Sequence, residues 1–217
     1  MAGGDARALL VTGAGDRAFC AGADIKELMD RSLRAPREGV AFGQAIFAKL
    51  DTLPILSIAL INGYAFGGGL ELALACTFRL SVHSARLGLP EIKLGLIPGY
   101  GGTQRLPRLI GAKRARSRSS DRPPCRGRGS RADRPRQPYR RKRSPRCRGE
   151  LRPRNDRLHS LCALGLAPDA VHRGLAFPLK DGLEIEAILN TLAFQTADAV
   201  EGMLAFLEKR KPVFRDG

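Results

Sequence analysis

Two glutamates stand in apolar, glycine-rich sequence where a carboxylate is costly to bury. Glu71 lies in the helix-like run LELALAC, and Glu91 follows a proline in LPEIKLGLIPGYGG. Acids in such surroundings are usually kept for proton transfer. Their spacing is too long for one face of a helix, so the two can meet only through the tertiary fold. The residues alone leave open that Glu91 is an ordinary acid at a helix start.

Two small-residue turns near these acids can leave backbone N–H groups without partners. The glycines of GGGLE allow close approach of a ligand and leave N–H groups free at the start of the following helix, and CAGAD repeats this arrangement at Ala23. Together they predict a pair of donors for a carbonyl oxygen that gains negative charge. A tight turn with close packing of strand on helix explains GGG equally well. Asp24 is explained either as a ligand contact or as a simple helix-start acid.

The sequence around these residues predicts alternating strands and helices, and therefore an α/β fold. Strands are predicted at 7–11, 55–61 and 77–82, and helices at 23–29, 37–50, 70–76 and 102–110. Residues 13–22 and 87–100 are predicted as loops. From Gly182 onward the chain again has helical periodicity, with Ile185, Ile188, Leu189 and Leu192 on one face.

The positive charge of the chain is concentrated in one segment. The formal net charge is +16, which by itself would favour a nucleic acid or an anionic surface as partner. Residues 112–159 hold 19 Lys and Arg against 4 Asp and Glu, leaving 18 against 17 elsewhere. The chain is thus a near-neutral domain interrupted by a basic segment, and we divide it into a core at 1–111, the segment at 112–181, and a helical region at 182–217.

Three interpretations of the basic segment remain open. It has six prolines and neither a helical nor a strand period, so it cannot form a packed layer. It could be an arginine-rich arm that binds RNA or DNA phosphates, or a solvated linker. The interpretation we favour is translation out of frame from G/C-rich coding DNA, because its composition begins and ends abruptly.

Several other classes of protein find no support in the sequence. The five cysteines are scattered, without the spacing of a zinc site or a disulfide framework. The three histidines show no partner pattern with serine or cysteine. The sequence starts directly with a strand-like run rather than a secretory leader, and we expect a cytoplasmic protein with no metal and no redox cofactor.

Three blocks of the sequence resemble the enoyl-CoA hydratase/isomerase (crotonase) superfamily. These blocks are AFCAGADIKEL, NGYAFGGGLELALAC and PEIKLGLIPGYGGTQRLPRLIG, and the resemblance extends over 7–112. The closing EGMLAFLEKRKPVF resembles the family's C-terminal helix and tail. Both glutamate positions of the short-chain enoyl-CoA hydratases are filled, by Glu71 and Glu91, whereas isomerases of the superfamily commonly keep one.

The resemblance implies a fold, an assembly and a set of roles. It implies a spiral of ββα units in trimers that pair into hexamers, and hydration of a 2-enoyl-CoA as in fatty-acid β-oxidation, with coenzyme A as part of the substrate. The N–H groups of Ala23 and Gly68 would hold the thioester oxygen. Glu71 would orient and deprotonate a water, and Glu91 would protonate the α-carbon. The implied substrate-binding residues are Ala21, Asp24, Ile25, Lys26, Gly99 and Lys211, with Gly102 shaping the loop behind Glu91.

The sequence departs from the family at both ends of the core. The resemblance implies that a strand pair and a helix precede the part that matches here, and that a helical hairpin occupies 112–181. Since the basic segment shows no such hairpin, the sequence leaves open an inactive chain. It also leaves open an enoyl-CoA isomerase, a branched-chain acyl-CoA hydratase, or a non-catalytic relative that binds RNA through its basic arm.

Overall fold

The fold is described from a computed structural model that covers residues 6–29, 35–112, 115, 125–126 and 159–215. The strands are β1 (Ala8–Thr12), β2 (Ala18–Cys20), β3 (Leu56–Ile61), β4 (Tyr64–Phe66), β5 (Phe78–Ser81), β6 (Arg86–Gly88) and β7 (Cys125–Arg126). The helices are α1 (Ile25–Met29), α2 (Ala35–Asp51), α3 (Gly68–Ala75), α4 (Gly102–Ile110), α5 (Leu161–Gly174), α6 (Leu179–Phe194) and α7 (Ala197–Leu207). A short 3-10 helix spans Glu91–Leu94.

The strands form two sheets that are filled in turn by successive ββα units. The first strand of each unit enters a parallel sheet of order β1-β3-β5. The second strand enters a sheet of order β2-β4-β6-β7, which is parallel except for β7. After each pair the chain enters α1, α3 or the 3-10 helix. This repeat places the starts of these three helices, and the residues they carry, around one site.

Close backbone packing fixes α3 against β2. A Cβ built on Gly69 would lie 2.1 Å from the carbonyl oxygen of Cys20, so only glycine fits there. The side chain of Asn62 connects the same two units, since its amide nitrogen donates to the carbonyls of Gly13 (3.0 Å) and Gly15 (2.6 Å). Below them, the core contains Phe19, Ala59, Ile61, Ala65, Leu70 and Leu74.

The C-terminal helices complete the site from the other side. Helix α6 packs on both α2 and α5, and α7 packs on the 3-10 helix. Serine and threonine caps begin two of them: the Ser160 hydroxyl accepts from the Ala163 amide, and the Thr196 hydroxyl accepts from the Ala199 amide. No helix in the described ranges is both long and apolar enough to cross a membrane.

The alternation of strands and helices predicted from sequence is confirmed, with three differences. Residues 13–22, predicted as loop, contain β2. Residues 87–100, also predicted as loop, contain the end of β6 and the 3-10 helix. Strand β4 was not predicted. Such short strands carry too few residues for a period of two to be seen, and they form only because neighbouring strands are available.

The C-terminal helices also differ from the prediction. They begin at Leu161, within the segment that we set apart as 112–181, although its arginine-rich part lies almost wholly outside the described residues. The predicted inner face of α6 was wrong in part: Ile188 is 50% exposed and Leu192 is 47% exposed. The buried face instead carries Leu183, Glu186, Ala187, Leu189, Asn190 and Ala193.

Candidate active site

A pocket of about 580 Å³ opens where the starts of α1, α3 and the 3-10 helix meet α6 and α7. Both predicted acids, Glu71 and Glu91, line it. Four of the predicted substrate-binding residues also line it, namely Ala21, Asp24, Ile25 and Gly99. Most of its remaining surface is apolar, from residues such as Leu28, Phe66, Leu96, Ile97, Phe194 and Phe206. The tertiary fold therefore brings together residues that are far apart in sequence.

The two predicted amide donors lie side by side in this pocket. A Cβ built on Gly68 would be 3.7 Å from the Ala23 amide nitrogen, and one built on Gly22 would be 3.4 Å from the Gly68 amide nitrogen. Gly22 and Gly67, which precede these two residues, have φ of 106° and 52°. Neither the Ala23 nor the Gly68 N–H donates to another described residue. Both are available to one oxygen atom of a ligand.

Glu71 is held by two backbone donors on one of its oxygens. It is 2% exposed, and its Oε1 accepts hydrogen bonds from the amides of Tyr100 (2.8 Å) and Gly102 (2.7 Å). Within the described part of the chain its Oε2 accepts none. Burial raises the pKa of Glu71 well above its ordinary value, and the charges of Glu186 and Glu91 add to this, whereas the two amides oppose it.

Glu91 presents the opposite hydrogen-bonding environment. Its Oε1 would lie 3.1 Å from a Cβ built on Gly67, next to the donor pair, and its buried Oε2 has no partner among the described residues. Burial raises the pKa of Glu91 to about 8, a hydrogen bond from its own backbone N–H opposes this, and the charge of Glu186 adds to it. A buried carboxyl group with so few donors is most stable when protonated.

The two acids are therefore suited to opposite roles. The charge of Glu91 raises the pKa of Glu71, and burial raises the pKa of both, so the site disfavours two negative charges at once. The proton is better placed on Glu91, whose buried Oε2 has no partner among the described residues, and the negative charge on Glu71, which accepts two N–H groups from the loop. Such a pair can accept a proton at one position and donate one at another.

A third buried acid, Glu186, was missed by the sequence analysis. It is 0% exposed on α6, and burial raises its pKa to about 7 against the effect of several hydrogen bonds. The sequence did indicate that Glu186 could be buried, because it falls three residues after Leu183 and four before Asn190, on the same helical face. We had treated that run only as an amphipathic helix. Its burial depends on α4 and α2, which the run itself does not reveal.

Three other predicted residues, Lys26, Lys211 and Gly102, do not line the pocket. Lys26 and Lys211 are exposed, and the amide of Gly102 donates to Glu71. Asp24 lines the pocket and accepts a hydrogen bond from the Lys26 amide at 2.9 Å, as a helix-start acid does, whereas its contact with a ligand stays a prediction.

Comparison with known proteins identifies the family. The chain matches the family Enoyl-CoA hydratase/isomerase over residues 2–119. It is 37% identical to the crotonyl-CoA hydratase of Syntrophomonas wolfei over 217 residues, covering 95% of this chain and 79% of that protein. It is 41% identical to a putative enoyl-CoA hydratase/isomerase of Bacillus subtilis, covering 96% of this chain and 80% of that protein.

A solved structure supports the same assignment. The enoyl-CoA hydratase from Bacillus anthracis is similar with a TM-score of 0.52 and 33% identity, covering 97% of this chain and 82% of that one. None of the three relatives named here is described as binding RNA, and nothing in these comparisons supports that alternative. Family match, relatives and fold agree, and the chain belongs to the enoyl-CoA hydratase/isomerase family.

Proposed function

We propose that this protein is an enoyl-CoA hydratase, which adds water across the 2,3 double bond of a 2-trans-enoyl-CoA. The observation that carries the proposal is the meeting of Glu71, Glu91 and two free amides in one largely apolar pocket. The relatives named crotonyl-CoA hydratase and enoyl-CoA hydratase support the same activity.

The donor pair would stabilise the charge that forms during the reaction. When water oxygen bonds to C3, the electron pair of the double bond moves toward the thioester and its oxygen becomes enolate-like. The N–H groups of Ala23 and Gly68 would hold that oxygen, and each such donor typically contributes ~3 to 4 kcal/mol to transition-state stabilisation. The apolar lining excludes bulk water, which strengthens these interactions.

The two acids would complete the addition. Glu71, held in its charged form by Tyr100 and Gly102, takes a proton from the attacking water through its unoccupied oxygen. Glu91 gives its proton to C2, so that one C–O bond and one C–H bond form across the former double bond while one O–H bond of the water is broken. Transfer of the gained proton from Glu71 back to Glu91 restores the starting state. No step needs a metal or a redox cofactor.

The remaining expectations follow from membership of the family. The coenzyme A part of the substrate would pass along Ala21, Asp24 and Ile25, and Gly99 would shape the loop behind Glu91. Lys26 and Lys211 are exposed and would contact the phosphates or adenine of coenzyme A. Trimers that pair into hexamers, a role in fatty-acid β-oxidation and a cytoplasmic location remain proposals.

The product decides between hydratase and isomerase. With crotonyl-CoA, a hydratase gives a 3-hydroxyacyl-CoA that is heavier by one water, which mass spectrometry detects directly. An isomerase instead converts a 3-enoyl-CoA to the 2-enoyl isomer without change of mass. A product of unchanged mass from both substrates would refute the proposal. A panel of straight and branched enoyl-CoA thioesters then separates the short-chain from the branched-chain alternative.

A further inference from the structure

Four successive backbone amides are shared alternately between two buried carboxylates. The amides of Tyr100 and Gly102 donate to Oε1 of Glu71. Those of Gly101 (2.6 Å) and Thr103 (2.7 Å) donate to the two oxygens of Glu186 on the opposite side. Because alternate amides of this loop point to opposite sides, neither carboxylate can move without disturbing the amides that hold the other.

Glu186 accepts more hydrogen bonds than Glu71 does. Besides the two amides, the hydroxyl of Thr103 donates to its Oε2, and the side-chain amide of Gln44 donates to its Oε1 at 3.4 Å. The same Gln44 nitrogen donates to the carbonyl of Gly99 at 2.9 Å. Glu186 does not itself line the pocket, so it cannot touch the substrate.

The loop needs such an anchor because its geometry is unusual. Gly101 has φ of 107°, a conformation open mainly to glycine, and it directly precedes α4. Glycines on both sides leave the loop with little intrinsic stiffness. Arg105 holds it from the α4 side by donating to the Tyr100 carbonyl at 3.1 Å and to Asp51 at 2.8 Å. Glu186 supplies the corresponding contacts from α6.

We propose that Glu186 is a positioning residue for hydration: by binding the Gly101 and Thr103 amides, it directs those of Tyr100 and Gly102 onto a single oxygen of Glu71, which leaves the other oxygen for water. This inference rests on the proposed function. The electrostatics agree with it, since the charge of Glu186 also raises the pKa of Glu71. Of the other ionisable groups nearby, Glu91 adds to that effect and Arg108 faces Glu186 from α4.

The central test is Glu186→Gln compared with Glu184→Gln. Both changes remove one carboxylate from α6, but Glu184 is exposed and Glu186 is not. In the first variant one amide of the loop loses its acceptor, and we expect kcat for crotonyl-CoA to fall by up to about 100-fold, as for small misplacements of a catalytic group. KM should change little, because Glu186 is outside the pocket. Equal kcat in the two variants would overturn the proposal.

A milder variant covers the case in which Glu186→Gln does not fold. Thr103→Val keeps the side-chain shape and the backbone amide but removes the hydroxyl donor to Glu186. We expect a smaller loss of kcat, by roughly tenfold, with KM again little changed. A rise in KM at unchanged kcat would contradict a positioning role.

A second readout does not depend on activity. The chain has three tyrosines, so selective 15N-tyrosine labelling gives few amide signals, and Tyr100→Phe identifies the one from residue 100. A short hydrogen bond from a backbone N–H to a carboxylate moves the signal of the amide proton downfield. We expect this signal to move upfield in Glu186→Gln and to stay in place in Glu184→Gln. An unmoved signal in Glu186→Gln overturns the proposal, whereas absence of hydration by the unaltered protein refutes only the proposed function.

Discussion

Gly67 and Glu91 lie so close that no larger residue fits between them without displacing the acid. A Cβ on Gly67 would be 3.1 Å from Oε1 of Glu91, and Gly67 also has φ of 52°. This one glycine thus separates a proton donor from the Gly68 amide that is to bind the thioester oxygen. The contact links the geometry of the turn directly to the chemistry of the site.

We predict that Gly67→Ala lowers kcat by at least about tenfold, because it moves Glu91 and strains the turn next to the Gly68 amide. Gly15→Ala is the matched control, since Gly15 also has positive φ (75°) but has open space around it. Both variants should lose on the order of 1 kcal/mol of unfolding free energy from backbone strain. Steady-state kinetics with crotonyl-CoA distinguishes them, and equal activity in the two would contradict the contact.

Activity should fall as pH rises through about 8. Glu91 must hold a proton to protonate C2, and burial raises its pKa to about 8, so its protonated fraction decreases above that pH. The measurement is kcat/KM for crotonyl-CoA between about pH 6 and pH 9.5, which reports the groups of the free enzyme, corrected for spontaneous thioester hydrolysis. A kcat/KM that stays level or increases over this range would argue against Glu91 as the proton donor.

The free energy of unfolding should also depend on pH through Glu91. Because the folded state binds the Glu91 proton more tightly than the unfolded chain, the stabilisation from that proton is present below about pH 4.3 and is lost as pH rises to about 8. Glu91→Gln cannot ionise and does not incur this loss. We expect its Tm relative to the unaltered protein to increase between about pH 5 and pH 8 and then to level off. A Tm difference independent of pH would show that Glu91 is not buried as described.

Packing of α3 on β2 can be tested with a pair of glycines. We predict that Gly69→Ala destabilises the protein by at least about 2 kcal/mol, because its Cβ would meet the Cys20 carbonyl at 2.1 Å. Gly165 is also within a helix but has nothing within 4 Å of its built Cβ. Gly165→Ala should therefore stabilise by about 0.5–1 kcal/mol through helix propensity. Urea unfolding measures both; destabilisation of similar size in the two would refute the close contact.

The sequence predicts the site well where the chemistry is local. A glycine turn before a helix signals unpaired N–H groups, and an acid in an apolar run signals burial, so Ala23, the glycine turn 67–69, Glu71 and Glu91 could be selected before any fold was known. Their meeting could not be derived from spacing, because it depends on the spiral of ββα units. Only the resemblance to a family supplied that expectation.

Other features were hidden for identifiable physical reasons. Strands β2 and β4 have three residues each and exist through pairing with their neighbours. Glu186 carries the same signal as Glu71, but its partners Gly101 and Thr103 lie on the far side of the basic segment in sequence. The cause of that segment's composition stays a prediction: an out-of-frame origin calls for resequencing the coding DNA of codons 100–190 and translating every frame.

The most direct test of the whole account is the rate of crotonyl-CoA hydration by Glu71→Gln and by Glu91→Gln, measured against the unaltered protein. Each change keeps the shape of the side chain but removes one proton-transfer group, and general acid or base groups typically contribute about 10²- to 10⁴-fold. We predict that each variant loses at least about 100-fold in kcat while KM stays within a few-fold. Near-normal hydration by either variant would contradict the assignment of Glu71 and Glu91 as the pair that adds water.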